Sequence, residues 1–496
     1  MIKESRNIAA AIAALTLSVA AFAHSKENVA AGASTGSATG QDLYKEFQNP
    51  PKSARPRVWW HWMNGNITKD GIKKDLLWMQ KTGIVGFHNF DAGLETPQIV
   101  DKRLIYMTPE WKDAFKYAIN LADSLDMEMT IASSPGWSET GGPWVKDEDA
   151  MKKLVWRQVE IKGGQPVSLK LPEGFDITGP FMDFTGSFDG VSQVFLRKKF
   201  YRDIAVVGVK LSDKDINLKE LHPVITSSGC DATGEEMLER ITGDSVGDYL
   251  DVKTDKNGKC WIQYEFAEPQ TIKAVVVSEL RKDTNPYVHT KELQYSDDGV
   301  NFKSINLSYQ ATAQRTYAIP ATTAKYFRLS LKDNKGKKDC EFGIAQFALS
   351  TVTRIQLAGD KAGNSFYRLL WMEDTPYSSE AARLEDVVDL TPYVKDGTLT
   401  WNAPEGNWRI FRFGYSLTGK TNHPASPEAT GLEVDKLDPK AITEYFRNYL
   451  QTYIDASGGK LGKGGIEYLL TDSFEAGAQT WTVNMPAEFK ARKGYD

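Results

Sequence analysis

Three strand segments separated by helix signals, near the start of the folded region, constrain this chain more than any other feature. Apolar and aromatic runs typical of buried strands begin near Arg57, Ile84 and Met127. A helix signal follows each of the first two runs: Thr68 precedes apolar residues at helical spacing, and Thr108-Pro109-Glu110 precedes another such face. Strands and helices that alternate in this way favour a parallel sheet or a (β/α) barrel, so we predict an α/β fold.

The middle of the chain has a different pattern. From residue 159 to 405, short alternating runs such as WIQYEFAEPQTIKAVVV and LQYSDDGVNFKSI are separated by turn residues, and this predicts an inserted β-sandwich. Within it, residues 205–350 resemble a galactose-binding-like (discoidin-type) module. Such a module is either a structural spacer or an ancillary carbohydrate-binding site, and the residues leave both interpretations open.

The α/β pattern is expected to resume near Trp408, with a strand, then a helix after Asp438-Pro439, and a last strand at Ile466 to Leu470. A further helix is predicted near Asp147 to Trp156. The predicted α/β parts are 55–158 and 406–496, on either side of the insertion. Roughly four or five strands of this kind are present where a (β/α)8-type barrel has eight, so we predict an incomplete barrel. A half-barrel and a truncated longer protein both explain the count, and we favour truncation.

The N-terminus has the pattern of a secretory signal peptide. Lys3 and Arg6 precede an apolar run from Ile8 to Ala23 that ends in Ala-Phe-Ala, a typical cleavage site. Cleavage near Ala23 predicts secretion to the periplasm or the exterior, with a flexible Ala-, Gly- and Ser-rich leader at 24–54. The apolar run is short for a transmembrane helix and no other segment is long enough, so we predict no membrane span.

Composition argues against several functions. The 496 residues have a formal net charge of −5, with 41% hydrophobic and 25% charged residues. This is an ordinary globular composition without the basic surface that nucleic-acid binding requires, so no nucleic-acid partner is expected. The three cysteines, Cys230, Cys260 and Cys340, lack CxxC spacing, which argues against a zinc site or a disulfide scaffold.

Polar and aromatic side chains collect where the predicted strands end, which is where α/β barrels build their sites. Aromatic faces stack on a sugar ring, while His, Asn and carboxylate groups bind its hydroxyls. The predicted sugar-binding residues are Trp60, His61, Asn64, His88, Asp91, Trp137, Glu139 and Asp472. Core packing is the competing interpretation for the neighbouring Trp59 and Trp62, and an ordinary structural histidine is the competing one for His88. Metal binding by His61 and His88 is possible, but no HxH or HExxH spacing supports it, and the metal ligands stay unknown.

Five stretches together resemble glycoside hydrolase family 106, the α-L-rhamnosidases. In chain order they are VWWHWMNGNIT, GFHNFDAG, SSPGWSETGGPWVK, HPASPEATGLEVDK and LLTDSFEAGAQTWT. The resemblance covers most of the chain after about residue 50. It implies a (β/α)8 catalytic barrel interrupted by β-sandwich insertions, an inverting mechanism, and a calcium ion that helps to bind the sugar. The implied substrate is terminal α-L-rhamnose in a polysaccharide or glycoside.

The resemblance also implies a catalytic residue. The acid glutamate of the family corresponds to Glu475 in TDSFEAG, and the neighbouring Phe474 and Ala476 are compatible with apolar surroundings that keep a carboxyl group protonated. A surface-loop carboxylate is the alternative interpretation. Asp472 is better suited to orienting or binding the sugar.

An inverting enzyme also needs a second carboxylate, about 6.5–9.5 Å from the acid, to activate water. No match places this base on the remaining carboxylates Glu139, Glu428 or Glu433, and we expect it beyond Asp496. A non-catalytic carbohydrate-binding protein that has lost its base is therefore the rival interpretation.

Overall fold

The computed structural model describes residues 40–178, 181, 198–243, 249–281, 289–307, 314–334, 341–364, 375, 378, 380 and 382–495. The predicted signal peptide, most of the predicted leader and Cys340 lie outside these residues. Within them, none of the helices has the length and apolar character needed to cross a membrane.

The chain divides into two compact units. The first consists of the chain up to Glu139 together with Ala425–Glu428 and Ile442–Asp472, and the second of Thr140–Pro424, Ala429–Ala441 and Ser473–Asp496. The α-helices are α1 (Gly40–Gln48), α2 (Lys69–Lys81), α3 (Pro109–Ser124), α4 (Gly234–Thr242), α5 (Ala358–Lys361), α6 (Pro439–Ser457) and α7 (Met485–Lys493).

The strands are β1 (Arg57–Met63), β2 (Gly86–Ala92), β3 (Glu128–Ala132), β4 (Lys152–Lys162), β5 (Pro166–Lys170), β6 (Arg202–Lys210), β7 (Val224–Ser227), β8 (Leu250–Lys253), β9 (Lys259–Arg281), β10 (His289–Ser296), β11 (Lys303–Asn306), β12 (Arg315–Asp333), β13 (Glu341–Ser350), β14 (Val387–Asp389), β15 (Val394–Lys395), β16 (Thr398–Asn402), β17 (Asn407–Leu417) and β18 (Ile466–Leu470).

The first unit is built on a parallel sheet of strand order β1-β2-β3-β18. The predicted alternation of strands and helices is confirmed here, because α2 separates β1 from β2 and α3 separates β2 from β3. Both predicted caps form: Thr68 Oγ1 accepts a hydrogen bond from Gly71 N (3.0 Å), and Thr108 Oγ1 accepts one from Trp111 N (3.4 Å). The eight-stranded barrel remains a prediction.

Aromatic rings fill the space between this sheet and its helices. Trp62 of β1 packs edge-on against Trp111 of α3, whose ring stacks on Phe115 at 5.2 Å between ring centroids. From α6, the hydroxyl of Tyr449 donates to the carbonyl of Ala132 at the end of β3 (2.7 Å). The predicted aromatic face of α6 therefore both buries apolar area and fixes the carboxyl end of β3.

The second unit consists of antiparallel sheets. In the described part of the chain, these sheets have the strand orders β11-β10-β12-β9-β13-β8, with β7 also paired to β9, β14-β6-β17-β4, and β15-β16-β5. Inward-facing residues of the largest sheet, such as Ile262, Tyr264, Phe327 and Leu329, form a closed apolar core. The whole chain is thus of mixed α/β type and rich in sheet, while the β-sandwich remains a prediction.

Two predictions about local structure are wrong. The segment near Asp147 to Trp156 is not a helix, because a 3-10 turn at Asp147–Asp149 leads directly into β4. The strand at Trp408 is β17, which pairs antiparallel with β4 and β6, so it does not resume the parallel α/β series. In both strands, β-branched and aromatic residues with two-residue alternation suit a half-buried antiparallel sheet. In the first compact unit, the N-terminal segment extends to Glu139; the domain bounds predicted from the sequence remain predictions.

Gly65, in the turn that ends β1, offers a test of this fold. Its φ is +66°, and a Cβ added there would lie 2.0 Å from the carbonyl oxygen of Leu104. A left-handed backbone alone costs a non-glycine residue roughly 1–2 kcal/mol. We expect Gly65→Ala to lower the free energy of unfolding by more than that, because a steric clash is added.

Gly83→Ala is the matched control, since Gly83 has φ +85° with open space around its Cβ position. Urea unfolding of both variants, followed by tryptophan fluorescence, measures the difference. Equal losses in the two variants would show that the contact with Leu104 does not constrain this turn.

Candidate active site

Glu475 lies on the loop that follows β18, in the part of that loop that belongs to the second unit. Its side chain is 46% exposed, and its Oε2 lies 3.0 Å from Nε2 of His423, whose own side chain is only 6% exposed. The Nδ1 atom of His423 lies 3.3 Å from the carbonyl oxygen of Thr421. The accessible carboxyl group of Glu475 is therefore held in position by the buried imidazole of His423.

Gln479 anchors the same loop a few residues further on. Its amide nitrogen donates to Oδ1 of Asp435 and to the carbonyl of Trp481, and its amide oxygen accepts from the backbone N–H of Lys436 (3.2 Å). Asp435 is fully buried and forms an ion pair with the buried Lys152 of β4 (3.1 Å). The loop is thus fastened to an interior charge pair of the second unit.

Lys436 contacts both Gln479, through its backbone N–H, and Phe474, the residue next to Glu475. Its ammonium group lies 5.6 Å from the centre of the Phe474 ring and 2.7 Å from Oε2 of Glu433. Glu433 is 1% exposed, and the same oxygen also accepts from the hydroxyl of Thr140 (2.8 Å). Glu433 is therefore a buried structural acceptor and is not offered to a substrate.

In the first unit, one face of the parallel sheet groups His61 and His88 with aromatic rings. Trp137 Nε1 donates to Nε2 of His61 (3.1 Å), and the His61 ring stacks on Phe90 at 5.2 Å between ring centroids. Trp59, which is 50% exposed, packs against Phe90. The register pairs Trp59 with His88, so these side chains share one face of β1 and β2.

The imidazoles on this face are held in the neutral form. Burial lowers the pKa of His61. Burial, and then the positive charge of Arg57, lowers the pKa of His88. A neutral imidazole has one N–H donor and one acceptor, which is the pairing that a sugar hydroxyl uses.

The predicted residues Trp60 and Asp91 lie on the opposite face, toward the helices. Trp60 Nε1 donates to the carboxylate of Asp75 on α2 (3.0 Å), and Trp111 Nε1 on α3 donates to Oδ2 of Asp91 (3.0 Å). The structure therefore does not bring these two residues together with His61 and His88. The two-residue alternation of a strand places them on the helix side.

Asp91 is 3% exposed, and in the described part of the chain its Oδ1 accepts no hydrogen bond. Burial raises its pKa to about 7. The hydrogen bond from Trp111 opposes this rise, the negative charge of Glu428 adds to it, and the positive charge of Arg103 opposes it. Asp91 is thus a buried carboxyl group that binds a proton near neutral pH.

Asn64 contacts Arg103, which is paired with Glu428, and the sequence predicted neither of these two residues as a site residue. It adopts a left-handed backbone conformation (φ +49°), and its amide donates to the carbonyl of Thr96 (2.6 Å). Its amide oxygen lies 3.4 Å from Nη1 of Arg103, whose guanidinium is paired with Glu428. Burial would raise the pKa of Glu428, but hydrogen bonds from Arg103 and the backbone lower it overall. Arg103 and Glu428 are 325 positions apart, so no local pattern predicts the pair.

The remaining predicted residues are Glu139 and Asp472, which are both half-buried. The backbone carbonyl of Glu139 accepts from the hydroxyl of Ser133 (2.6 Å), which fixes the turn after β3. Asp472 follows the end of β18 by two residues. Neither residue belongs to the same compact unit as Glu475.

Calcium binds six to eight oxygen ligands, usually including several carboxylates. Across the described residues, no group of three or more His, Cys, Asp or Glu side chains is arranged to hold a metal ion. These side chains do not supply the carboxylate-rich set that calcium prefers, so we derive no chemical step through calcium. The ion remains a prediction from the resemblance.

Comparison with known proteins decides the family. Residues 48–496 match the glycoside hydrolase family 106 model, described as alpha-L-rhamnosidase. The chain belongs to glycoside hydrolase family 106. The structure of a rhamnosidase from Novosphingobium sp. PP1Y is 39% identical with a TM-score of 0.75, covering 92% of this family 106 chain and 42% of that protein.

A second relative, from Formosa agariphila, is named as a beta-glucuronidase. It is 25% identical over 470 residues, which cover 92% of this chain and 26% of the relative. The family 106 chain thus spans less than half the length of each of these two proteins. The predicted resemblance is confirmed at the level of the family.

The buried carboxyl group of Asp91 predicts a pH dependence of stability. Its folded-state pKa of about 7 lies above an unfolded value of about 3.9. Its stabilising contribution is therefore complete below about pH 4 and is lost as the pH rises to about 7. We expect Asp91→Asn to remove up to about 4 kcal/mol of the fall in unfolding free energy over this range.

Urea unfolding at about pH 4 and about pH 7 measures this fall. Asp75→Asn is the control, because Asp75 also accepts from a tryptophan N–H but is exposed. If the wild-type protein and Asp91→Asn lose the same stability between the two pH values, Asp91 is ionised throughout.

Proposed function

We propose that this chain provides the general acid of an α-L-rhamnosidase, and that Glu475 is this acid. The main support is the contact between the half-exposed carboxyl group of Glu475 and the buried His423, in which Oε2 of Glu475 lies 3.0 Å from Nε2 of His423. A general acid must be open to the substrate and fixed in position at the same time, and this contact meets both requirements. Membership of family 106 and the 39% identity to a rhamnosidase support the choice of reaction.

The proposed reaction is hydrolysis with inversion. Glu475 protonates the departing glycosidic oxygen while water attacks the anomeric carbon from the opposite side, and a second carboxylate takes a proton from that water. We assign the base to no residue of this chain. The proposed substrate is a terminal α-L-rhamnose in a polysaccharide or glycoside, met in the periplasm or outside the cell.

The face that carries His61, His88 and Trp137 is proposed as a sugar-binding surface. The remaining N–H of His61 and the neutral ring of His88 can form hydrogen bonds with hydroxyls, and the exposed ring of Trp59 offers an apolar plane for the C–H face of a sugar. Trp60 and Asp91, which the sequence predicted to bind the sugar, are better explained as residues that hold the sheet to its helices. Binding without hydrolysis is the rival function, and it is one outcome of the experiment below.

Hydrolysis of an aryl α-L-rhamnoside tests the acid. We expect Glu475→Gln to lower kcat by roughly 10²–10⁴-fold, the usual contribution of a general acid. Glu488→Gln is the matched control, because Glu488 is an exposed glutamate of α7 in the same compact unit. The assay is run on this chain and on any longer product of its reading frame.

The outcomes separate the alternatives. Equal activity of wild type and Glu475→Gln would exclude Glu475 as the acid. Binding of the rhamnoside without hydrolysis by either form would favour the carbohydrate-binding protein, and cleavage of an aryl β-glucuronide alone would exclude rhamnose. NMR of the fresh product checks the stereochemistry: β-L-rhamnose formed first agrees with inversion, and α-L-rhamnose formed first contradicts it.

A further inference from the structure

We propose that the outward face of the largest sheet in the second unit binds a uronic-acid residue of an acidic glycan, and that Arg328 binds the sugar carboxylate. This face is formed by β7, β9, β12, β10 and β11. Binding here requires no hydrolysis and is independent of the role of Glu475.

Strand alternation and register place Arg328 in a row of polar side chains. Phe327 and Leu329, on either side of it in β12, are fully buried in the core, so Arg328 points to the opposite face of the sheet. Neighbouring strands lie roughly 4.8 Å apart, so a row across five strands extends over roughly 19 Å. The row, from β7 to β11, consists of Thr226, Gln263, Arg328, Gln294 and Ser304.

Two aromatic rings hold the guanidinium group of Arg328 in place. Its Cζ lies 4.1 Å from the centre of the Trp261 ring and 3.8 Å from the centre of the Phe302 ring. All three side chains are half-buried. A guanidinium that is already fixed loses little conformational freedom when a ligand binds to it.

The hydrogen bonds of Arg328 use one edge of the guanidinium. Nε and Nη2 both donate to Oε1 of Gln263, at 3.1 and 2.7 Å. A guanidinium has five N–H groups, so one N–H on Nη2 and two on Nη1 remain. Among the described residues, Gln263 is the one hydrogen-bond acceptor that Arg328 contacts. The edge formed by Nη1 and Nη2 has the geometry to bind a carboxylate through two parallel hydrogen bonds.

The charge of Arg328 lacks the compensation that other arginines of the same unit have. Burial lowers the pKa of Arg328, and the described carboxylates do not offset this shift. Arg412 shows the contrast: its Nε and Nη2 donate to the carboxylate of Asp203 at 2.7 and 2.8 Å, and these hydrogen bonds raise the pKa of Arg412. A half-buried charge without a counterion costs free energy, which a ligand carboxylate at Arg328 offsets.

The surroundings of the row favour a ligand with isolated negative charges. Glu265 and Glu292 lie in the rows on either side of Arg328. Glu265 accepts from the hydroxyl of Tyr326 (3.0 Å), and Glu292 accepts from the amide of Gln294 (3.1 Å). Their negative charges repel a densely charged polyanion. A uronic acid among neutral sugars instead offers one carboxylate to the guanidinium and hydroxyl groups to the amides and hydroxyls of the row.

Isothermal titration calorimetry of the full chain tests this site. The probes are oligosaccharides that carry one glucuronate or one galacturonate among neutral sugars, and the carboxyl-reduced forms of the same oligosaccharides. We expect the wild type to bind at least one acidic probe with a Kd roughly 10–100-fold below that of its reduced form, because a charge-assisted pair of hydrogen bonds is lost on reduction.

Arg328→Lys tests the residue, because lysine keeps the positive charge but lacks the two-pronged donor geometry. We expect this variant to lose most of the preference for the acidic probe. Arg383→Lys is the matched control, since Arg383 is an exposed arginine of the same unit, and it should keep the preference. Glu475→Gln should also keep it, because Glu475 is not part of the row.

Four results would overturn the proposal: no binding of any probe by the wild type, equal binding of acidic and reduced forms, an unchanged preference in Arg328→Lys, or loss of the preference in Glu475→Gln. A purely structural role of Arg328 would lower the stability of Arg328→Lys without changing the preference. The comparison of acidic and reduced probes uses only the wild type, so it stands if the variant fails to fold. If the preference depends on Arg328 but no rhamnoside is hydrolysed, the proposed function fails while this site stands.

Discussion

The buried ion pair between Lys152 and Asp435 is the interaction on which the loop of Glu475 depends. Removing two charges from water costs several kcal/mol per ion unless hydrogen bonds satisfy the remaining atoms. Here Lys152 uses its three donors on Asp435, on the carbonyl of Glu148 and on the carbonyl of Ala150. The other oxygen of Asp435 accepts from the backbone of Leu437 and from Gln479.

The pair has a positional role that an apolar replacement could not supply. Gln479 holds the loop to Asp435, and the backbone N–H of Thr480 donates to the carbonyl of Lys152 (3.2 Å). The segment that follows Glu475 is therefore tied to the first residue of β4. The loop that carries the exposed carboxyl group of Glu475 is therefore fixed in position by the buried pair of Lys152 and Asp435.

Strand alternation in the first unit separates the sheet face that carries His61 and His88 from the face that packs against the helices. On β1 and β2, the side chains of His61 and His88 face one side of the sheet, while Trp60 and Asp91 face the helices. The helix side contains tryptophan–carboxylate hydrogen bonds and packed rings. This arrangement lets the opposite side keep a half-exposed ring, Trp59, without loss of core packing.

Local chemistry explains what the sequence could predict. The caps at Thr68 and Thr108, the aromatic face of α6 and the strand at Ile466–Leu470 are all confirmed, because each depends on residues within a few positions. The segment near Asp147 to Trp156, predicted as a helix, leads into strand β4. Its pairing partner β17 lies about 250 residues away in the chain, so no local pattern indicates the pairing.

The contacts between the site residues could not be predicted from the sequence, because the paired residues are far apart in the chain. Arg103 pairs with Glu428 across 325 positions, and His423 with Glu475 across 52. His423 and Glu428 both lie in the stretch HPASPEATGLEVDK, which carried the family resemblance without an assigned role. Only the folded chain shows which carboxylate each one contacts.

The most direct test of the central claim, that Glu475 donates the proton to the leaving group, is the dependence of kcat/KM on leaving-group acidity. A series of aryl α-L-rhamnosides is compared between wild type and Glu475→Gln. If Glu475 is the acid, the wild type shows a shallow dependence, while the variant shows a steep one and approaches wild-type rates only for the most acidic phenols. Parallel dependences in the two proteins would contradict the assignment.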